Sequence, residues 1–204
     1  MPFLIKPFLT AFGLYLCFSF SLLADVSIGA PAPSFKLPNQ NGDIIELDQF
    51  EGKTVILEWY NQDCPFVRKF YDAQKMQELQ AKATSEGMIW LTIASSAPGK
   101  QGHLTQKSAQ ERIKAEGLKA SHLLLDPEGK VGKGYGAKTT PHMFVISTKG
   151  NVLYDGAIDT VPSTNSNDIK KAENYVEMAM NDLKSSDTVK VAKTKPYGCS
   201  VKYP

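Results

Sequence analysis

No second cysteine follows Cys64 at the spacing of a paired redox motif: in CPFV, three residues on, stands Val67. A local dithiol cycle, in which a neighbouring thiol releases a mixed disulfide, is therefore excluded. Arginine is scarce, and Arg68 and Arg112 are the whole supply. Charge of one sign is also missing: 23 Lys and Arg are interspersed with 21 Asp and Glu. That balance provides no basic face for a nucleic acid. The Lys-rich stretch KVAKTK near the C-terminus reads as a solvated tail, its alternative being a contact with an acidic surface. His103, His122 and His142 do not fall at paired ligand spacing, so no metal site is expected. GKGYG lacks the Lys-Ser/Thr ending of a phosphate loop, and no bound cofactor is required.

What is present suits one compact domain with extensions. The chain has 204 residues, 42% of them apolar, enough for a substantial core. Residues 1–24 carry Lys6, no acid, and an apolar run from Phe8 to Ala24. That order predicts a secretory signal peptide, with an uncleaved membrane anchor as the alternative. The run is short for a span, which needs about 20 residues. Secretion, most simply into a periplasm, places the remaining cysteines, Cys64 and Cys199, where disulfides persist.

The expected domain covers residues 25–184 and the tail residues 185–204. SFKL and DIIEL read as short strands around the turn NQNG. KTVILEWY is a buried strand, and a helical period then runs from Cys64 to about Ala83. MIWLTIA is a strand, KSAQERIKAEGL a helix, HLLLD a short strand and PEGKVGKGYGA a glycine-rich helical turn. TTPHMFVIS and NVLYDGAI form a hairpin across STKGN, and residues 167–184 form the last helix. Such an order describes a central mixed β-sheet flanked by helices, an α/β fold.

Cys64 sits where strand passes into helix, with Pro65 in the first helical position, where its missing N–H costs nothing. A helix N-terminus offers unpaired N–H groups and the positive end of the dipole, which favour the thiolate. Arg68, one turn on, adds positive charge, while Asp63 opposes it. The plainer alternative is a small buried apolar filler.

Three features together, VILEWYNQDCP, LLLDPEGKVGKGYGAKTTPHMFVIS and TKGNVLYDGAID, resemble the thioredoxin fold over residues 30–184. The resemblance implies that Pro141 is a cis proline beside the active cysteine, exposing main-chain groups to an extended substrate. His142 would follow it, either near the sulfur or as a core histidine. CPFV, the LLLD…TTPH segment and the terminal GCSVK resemble the peroxiredoxin-like group of the alkyl hydroperoxide reductase and thiol-specific antioxidant superfamily. Where a typical peroxiredoxin has Pro and Thr before its cysteine, Leu57 and Asn61 stand here, and the late-strand arginine is missing. Copper-carrying relatives use two close cysteines, and Tyr60 occupies that place.

The resemblance implies thiol-dependent redox or antioxidant activity at Cys64, with Pro141 shaping the site. A peroxide or a protein disulfide would be the substrate and an external dithiol protein the reductant. Cys199 lies in KPYGCSVKYP, long enough to fold back, and three fates stay open for it: a resolving thiol, half of a permanent disulfide, or an unpaired end. The competing expectation is a non-catalytic module that holds an extended peptide.

Overall fold

The computed structural model describes residues 26–204, so the expected signal segment lies outside the described residues. A short antiparallel pair, β1 (Lys36–Pro38) and β2 (Ile44–Glu46), leads into β3 (Val55–Trp59). There follow α1 (Pro65–Asp72), α2 (Lys75–Ser85), β4 (Ile89–Ala94), α3 (Gln106–Glu116), β5 (His122–Leu125) and α4 (Lys130–Gly134). The two-residue strand β6 (Thr139–Thr140) precedes β7 (His142–Ile146) and β8 (Val152–Gly156). Last come α5 (Tyr175–Asp182) and β9 (Cys199–Ser200).

The main sheet has five strands in the order β5-β4-β3-β7-β8. β3, β4 and β5 are parallel, while β7 and β8 run antiparallel to their neighbours. The fold is thioredoxin-like, as the sequence led one to expect. Alternation along β3 divides the core between two faces. Ile56 and Tyr60 pack with Phe70, Tyr71, Met76, Val176 and Met180 from α1, α2 and α5. Val55, Leu57 and Trp59 pack on the other side with Leu37, Ile45, Tyr135 and Phe144. β3 ends at the centre of the sheet, so the chain leaving it delivers Cys64 to the middle of one sheet edge.

Two helices differ from expectation. The period from Cys64 to Ala83 is interrupted at Gln74, which takes a left-handed conformation (φ 61°) between α1 and α2. Apolar residues on both halves still face the same core, so periodicity alone could not reveal the break. The last helix is likewise divided. Residues Ser166–Lys171 form a 3-10 turn, and α5 starts afresh where Asn174 accepts from the Glu177 amide at 2.9 Å.

Candidate active site

Cys64 is the N-cap of α1, with extended backbone (φ −82°, ψ 121°) and Pro65 directly after it. Its carbonyl begins the helix by accepting from Val67 and Arg68 at 3.0 and 2.9 Å. The side chain is 0% exposed. Its Sγ–H donates to the Thr140 carbonyl at 3.0 Å, and Thr140 leads into Pro141 through a cis peptide bond. A turn at the end of β3 and the junction of β6 with β7 thus meet at one sulfur.

Cys199 completes the cluster. In β9 it lies opposite Thr140, with Ser200 opposite Thr139, in an antiparallel pair. Both thiols are free, Cys64 buried and Cys199 half-buried. Both thiols thus lie against Thr140, and they titrate in opposite directions. Burial pushes Cys64 up, but hydrogen bonds from Cys199, the Thr140 side chain and the backbone at Cys199 and Val67 outweigh it, so the thiol falls below its ordinary value. Burial, followed by the hydrogen bond to Cys64 and its charge, pushes Cys199 up to about 11. The Thr140 hydroxyl is buried without a partner while the thiol donates to the carbonyl, and it is available as a donor once the sulfur is ionised.

The tail that carries Cys199 is laid across the domain. Thr194 pairs its amide with the Asp155 carbonyl at 3.1 Å, and its hydroxyl accepts from the Ala157 amide at 2.8 Å. The Tyr197 hydroxyl donates to Asp159, and its ring meets Phe66 edge-on at 5.8 Å. Gly198 (φ 138°) passes so close to β6 that a Cβ there would sit 2.1 Å from the Thr140 carbonyl oxygen. Beyond Cys199, the Val201 amide donates to Lys138 at 3.1 Å and the Lys202 carbonyl accepts from Ala97 at 2.9 Å. The Tyr203 hydroxyl reaches the Ala137 carbonyl at 2.8 Å and lies over Gly132, where a Cβ would be 2.4 Å from it.

The glycine-rich turn therefore forms the seat of Tyr203. Asp126 fixes that seat by accepting from Ser95 at 2.7 Å and from the Gly132 amide at 2.9 Å. The KVAKTK stretch is likewise tied down in part, since Lys193 pairs with Asp155 at 3.0 Å.

Arg68 is engaged elsewhere, bound to Asp72 and Glu116. His142 is a buried core histidine. Its Nδ1 accepts from the Lys138 amide at 3.2 Å, which leaves Nε2–H to donate to Asp155 at 2.8 Å. Among the described residues no group of three or more His, Cys, Asp or Glu is arranged to hold a metal ion. No helix among them is long and apolar enough to cross a membrane.

Sequence reading missed Glu58. It points from β3 into the core and is wholly buried. Its carboxylate accepts from Tyr71 at 2.8 Å, Trp90 at 2.8 Å, Gln80 at 3.1 Å and Thr92 at 3.1 Å. A lone acid inside the apolar run TVILEWY was the available signal.

The model of the AhpC/TSA family matches residues 28–155. The chain belongs to the AhpC/TSA family. That match takes in β1 to β7, all but the last residue of β8, and Cys64, whereas Cys199 lies beyond it. Among curated proteins the chain is 28% identical to the thiol-disulfide oxidoreductase ResA of Bacillus cereus over 136 residues, which covers 67% of this chain and 73% of that protein. A hypothetical protein of Sinorhizobium meliloti has a solved structure that superposes with a TM-score of 0.72 at 21% identity, covering 89% of this chain and 97% of the other. The thioredoxin domain of a thiol-disulfide oxidoreductase from Bacteroides vulgatus superposes with a TM-score of 0.51 at 16% identity, covering 72% and 98%.

Proposed function

We propose that this chain is a thiol oxidoreductase in which Cys64 is the attacking thiolate and Cys199 the resolving thiol. The observation that carries the reading is geometric: the Cys64 thiol donates to the Thr140 carbonyl at 3.0 Å, and Cys199 lies opposite that same Thr140 in the β6–β9 pair. With a peroxide, the Cys64 thiolate takes one oxygen, the O–O bond breaks and hydroxide or alkoxide leaves. Cys199 then condenses with the sulfenic acid, giving a disulfide and water. An external dithiol returns the pair to the reduced state by two successive exchanges. With a protein disulfide, Cys64 attacks one sulfur and Cys199 releases the mixed disulfide. Membership of the AhpC/TSA family and the ResA relative support thiol chemistry in general.

The N-terminal segment supports a secreted or periplasmic site of action, supplied with reducing equivalents from outside the molecule. A second reading, a peptide-holding module without turnover, is favoured by one observation: the β6 edge already binds an extended strand.

The test is to give reduced protein one equivalent of hydrogen peroxide and follow its intact mass. Loss of two hydrogens in the wild type, absent in Cys64→Ser and Cys199→Ser, is expected. Oxygen should add to Cys64 in Cys199→Ser. Both thiols remaining unchanged with peroxide and with a small disulfide would overturn the enzyme in favour of the peptide-holding module.

A further inference from the structure

The thiol to which the chemistry is assigned is closed to solvent, and the edge beside it is filled. Cys64 is 0% exposed. The backbone of Thr139 and Thr140, the hydrogen-bonding edge nearest its sulfur, is paired with Ser200 and Cys199. A short oxidant reaches a buried sulfur through small local openings. A polypeptide disulfide is bulkier, and the strand nearest Cys64, along which an extended chain would pair, is already taken by β9.

The tail is held on both sides of Cys199. Before it stands the Tyr197–Asp159 contact, with Asp159 itself bound to the buried Lys69 at 3.0 Å. After it come the Val201, Lys202 and Tyr203 contacts to Lys138, Ala97 and Ala137. β9 is only two residues long and half-exposed, and apart from its pairing with β6 the grip on it lies in these flanking contacts. A segment with little apolar burial of its own opens at a lower free energy than the sheet it rests on.

We propose that residues 198–203 form a gate over Cys64, which admits small oxidants while closed and polypeptide disulfides only when the strand leaves β6. The proposal rests on Cys64 being the reactive thiol and adds how its substrates are sorted. Gly198 sets the fit of the gate, because any side chain there meets the Thr140 carbonyl. An incoming polypeptide that takes the same register carries its cysteine at the Cys199 place and glycine immediately before it.

The experiment uses the full chain with Cys199→Ser, so that a mixed disulfide at Cys64 persists and the gate keeps its backbone pairing. Two loosened variants are made in that background, Gly198→Val and Tyr203→Ala. Each protein is given hydrogen peroxide, read as sulfenic acid at Cys64. Each is separately given a peptide of residues 195–203 whose cysteine is joined to thionitrobenzoate. Cys64 attacks the peptide sulfur, the S–S bond breaks, and coloured thionitrobenzoate leaves as the thiolate.

Loosening should raise the peptide rate by about tenfold or more and change the peroxide rate by about threefold or less, the gain expected from a more populated open state. In the loosened proteins the same peptide with alanine before its cysteine should react more slowly than the glycine peptide. A peptide rate that is the same in all three proteins, with peroxide still oxidising Cys64, would overturn the gate and leave the thiol reading standing. Cys64 inert to both reagents in all three would overturn the thiol reading, and the gate with it.

Discussion

The indole N–H of Trp90 donates to the Glu58 carboxylate across 2.8 Å, inside a core where neither residue meets water. Burial pushes Glu58 up to about 7, against hydrogen bonds from Trp90, Tyr71, Gln80 and Thr92 that pull it down. The folded protein therefore holds a proton that the unfolded chain, with its ordinary carboxyl near 4.5, has released. Stability conferred by this group is full below pH 4.5 and is lost as pH rises to about 7. The difference across that window is on the order of 3 kcal/mol. Urea unfolding at a series of pH values should show this slope in the wild type and its loss in Glu58→Gln.

A second buried charge is paired. Lys69 and Asp159 lie 3.0 Å apart with 0% and 2% of their side chains exposed, and Tyr197 also donates to Asp159. Lys69→Met leaves the carboxylate without its cation and should cost about 3–5 kcal/mol, whereas Lys69→Met with Asp159→Asn should recover part of that loss. Denaturation midpoints of the two variants decide it. With Asp159→Asn measured as well, a double variant that loses the sum of the two single losses would mean that the pair is not coupled.

The two thiols depress and raise each other. Removing the Cys199 donor in Cys199→Ala should move the Cys64 titration upward, as should Thr140→Val, which keeps the shape of the side chain but not its hydroxyl. Thr140→Ser should stay near the wild type. Thiolate absorbance against pH, or the pH dependence of alkylation, measures all three. An unchanged curve in Thr140→Val would show that the hydroxyl has no part in holding the charge.

Tyr203 and Gly132 form one fit. Tyr203→Ala loses the bond to Ala137 and the packing on α4, at a cost of about 2 kcal/mol to the tail's attachment. Gly132→Ala places a methyl where the Tyr203 hydroxyl lies and should release the tail just as well. Combined, they should be no worse than the more harmful single change, because both act on the same contact. Protease cleavage of the tail in the native protein is the direct measure.

The strands were the most legible part of the chain. TVILEWY and HMFVI are apolar runs that could only be buried, and the turn residues between β7 and β8 set their hairpin. Cys64 was legible for a local reason, since a strand ends and a helix begins there with proline in the first position. The break at Gln74 was not, because glutamine carries no signal for a left-handed residue. The restart of α5 did have one, Asn174 with Glu177 three residues on. The tail was legible only in part: KVAKTK reads as solvated and KPYGCSVKYP as able to fold back, but nothing in either stretch specifies where it docks. What orders it is remote in sequence: Gly132 under Tyr203, Asp159 against Tyr197 and the backbone of Thr140. Counting by turns places Arg68 one turn from Cys64 and Asp72 one turn beyond Arg68, but it could not reveal Glu116, the second carboxylate that occupies the arginine.

The last strand imposes an order on synthesis. Tyr197, Val201 and Lys202 are made after the groups they bind, Asp159, Lys138 and Ala97. The five-stranded sheet and α1 are complete in sequence by Gly156, ahead of all three. Between those two moments Cys64 stands in a nearly finished domain with no cover and no second thiol. Until residues 198–203 dock, that sulfur is open to whatever oxidant or foreign thiol it meets, and their docking ends that exposure.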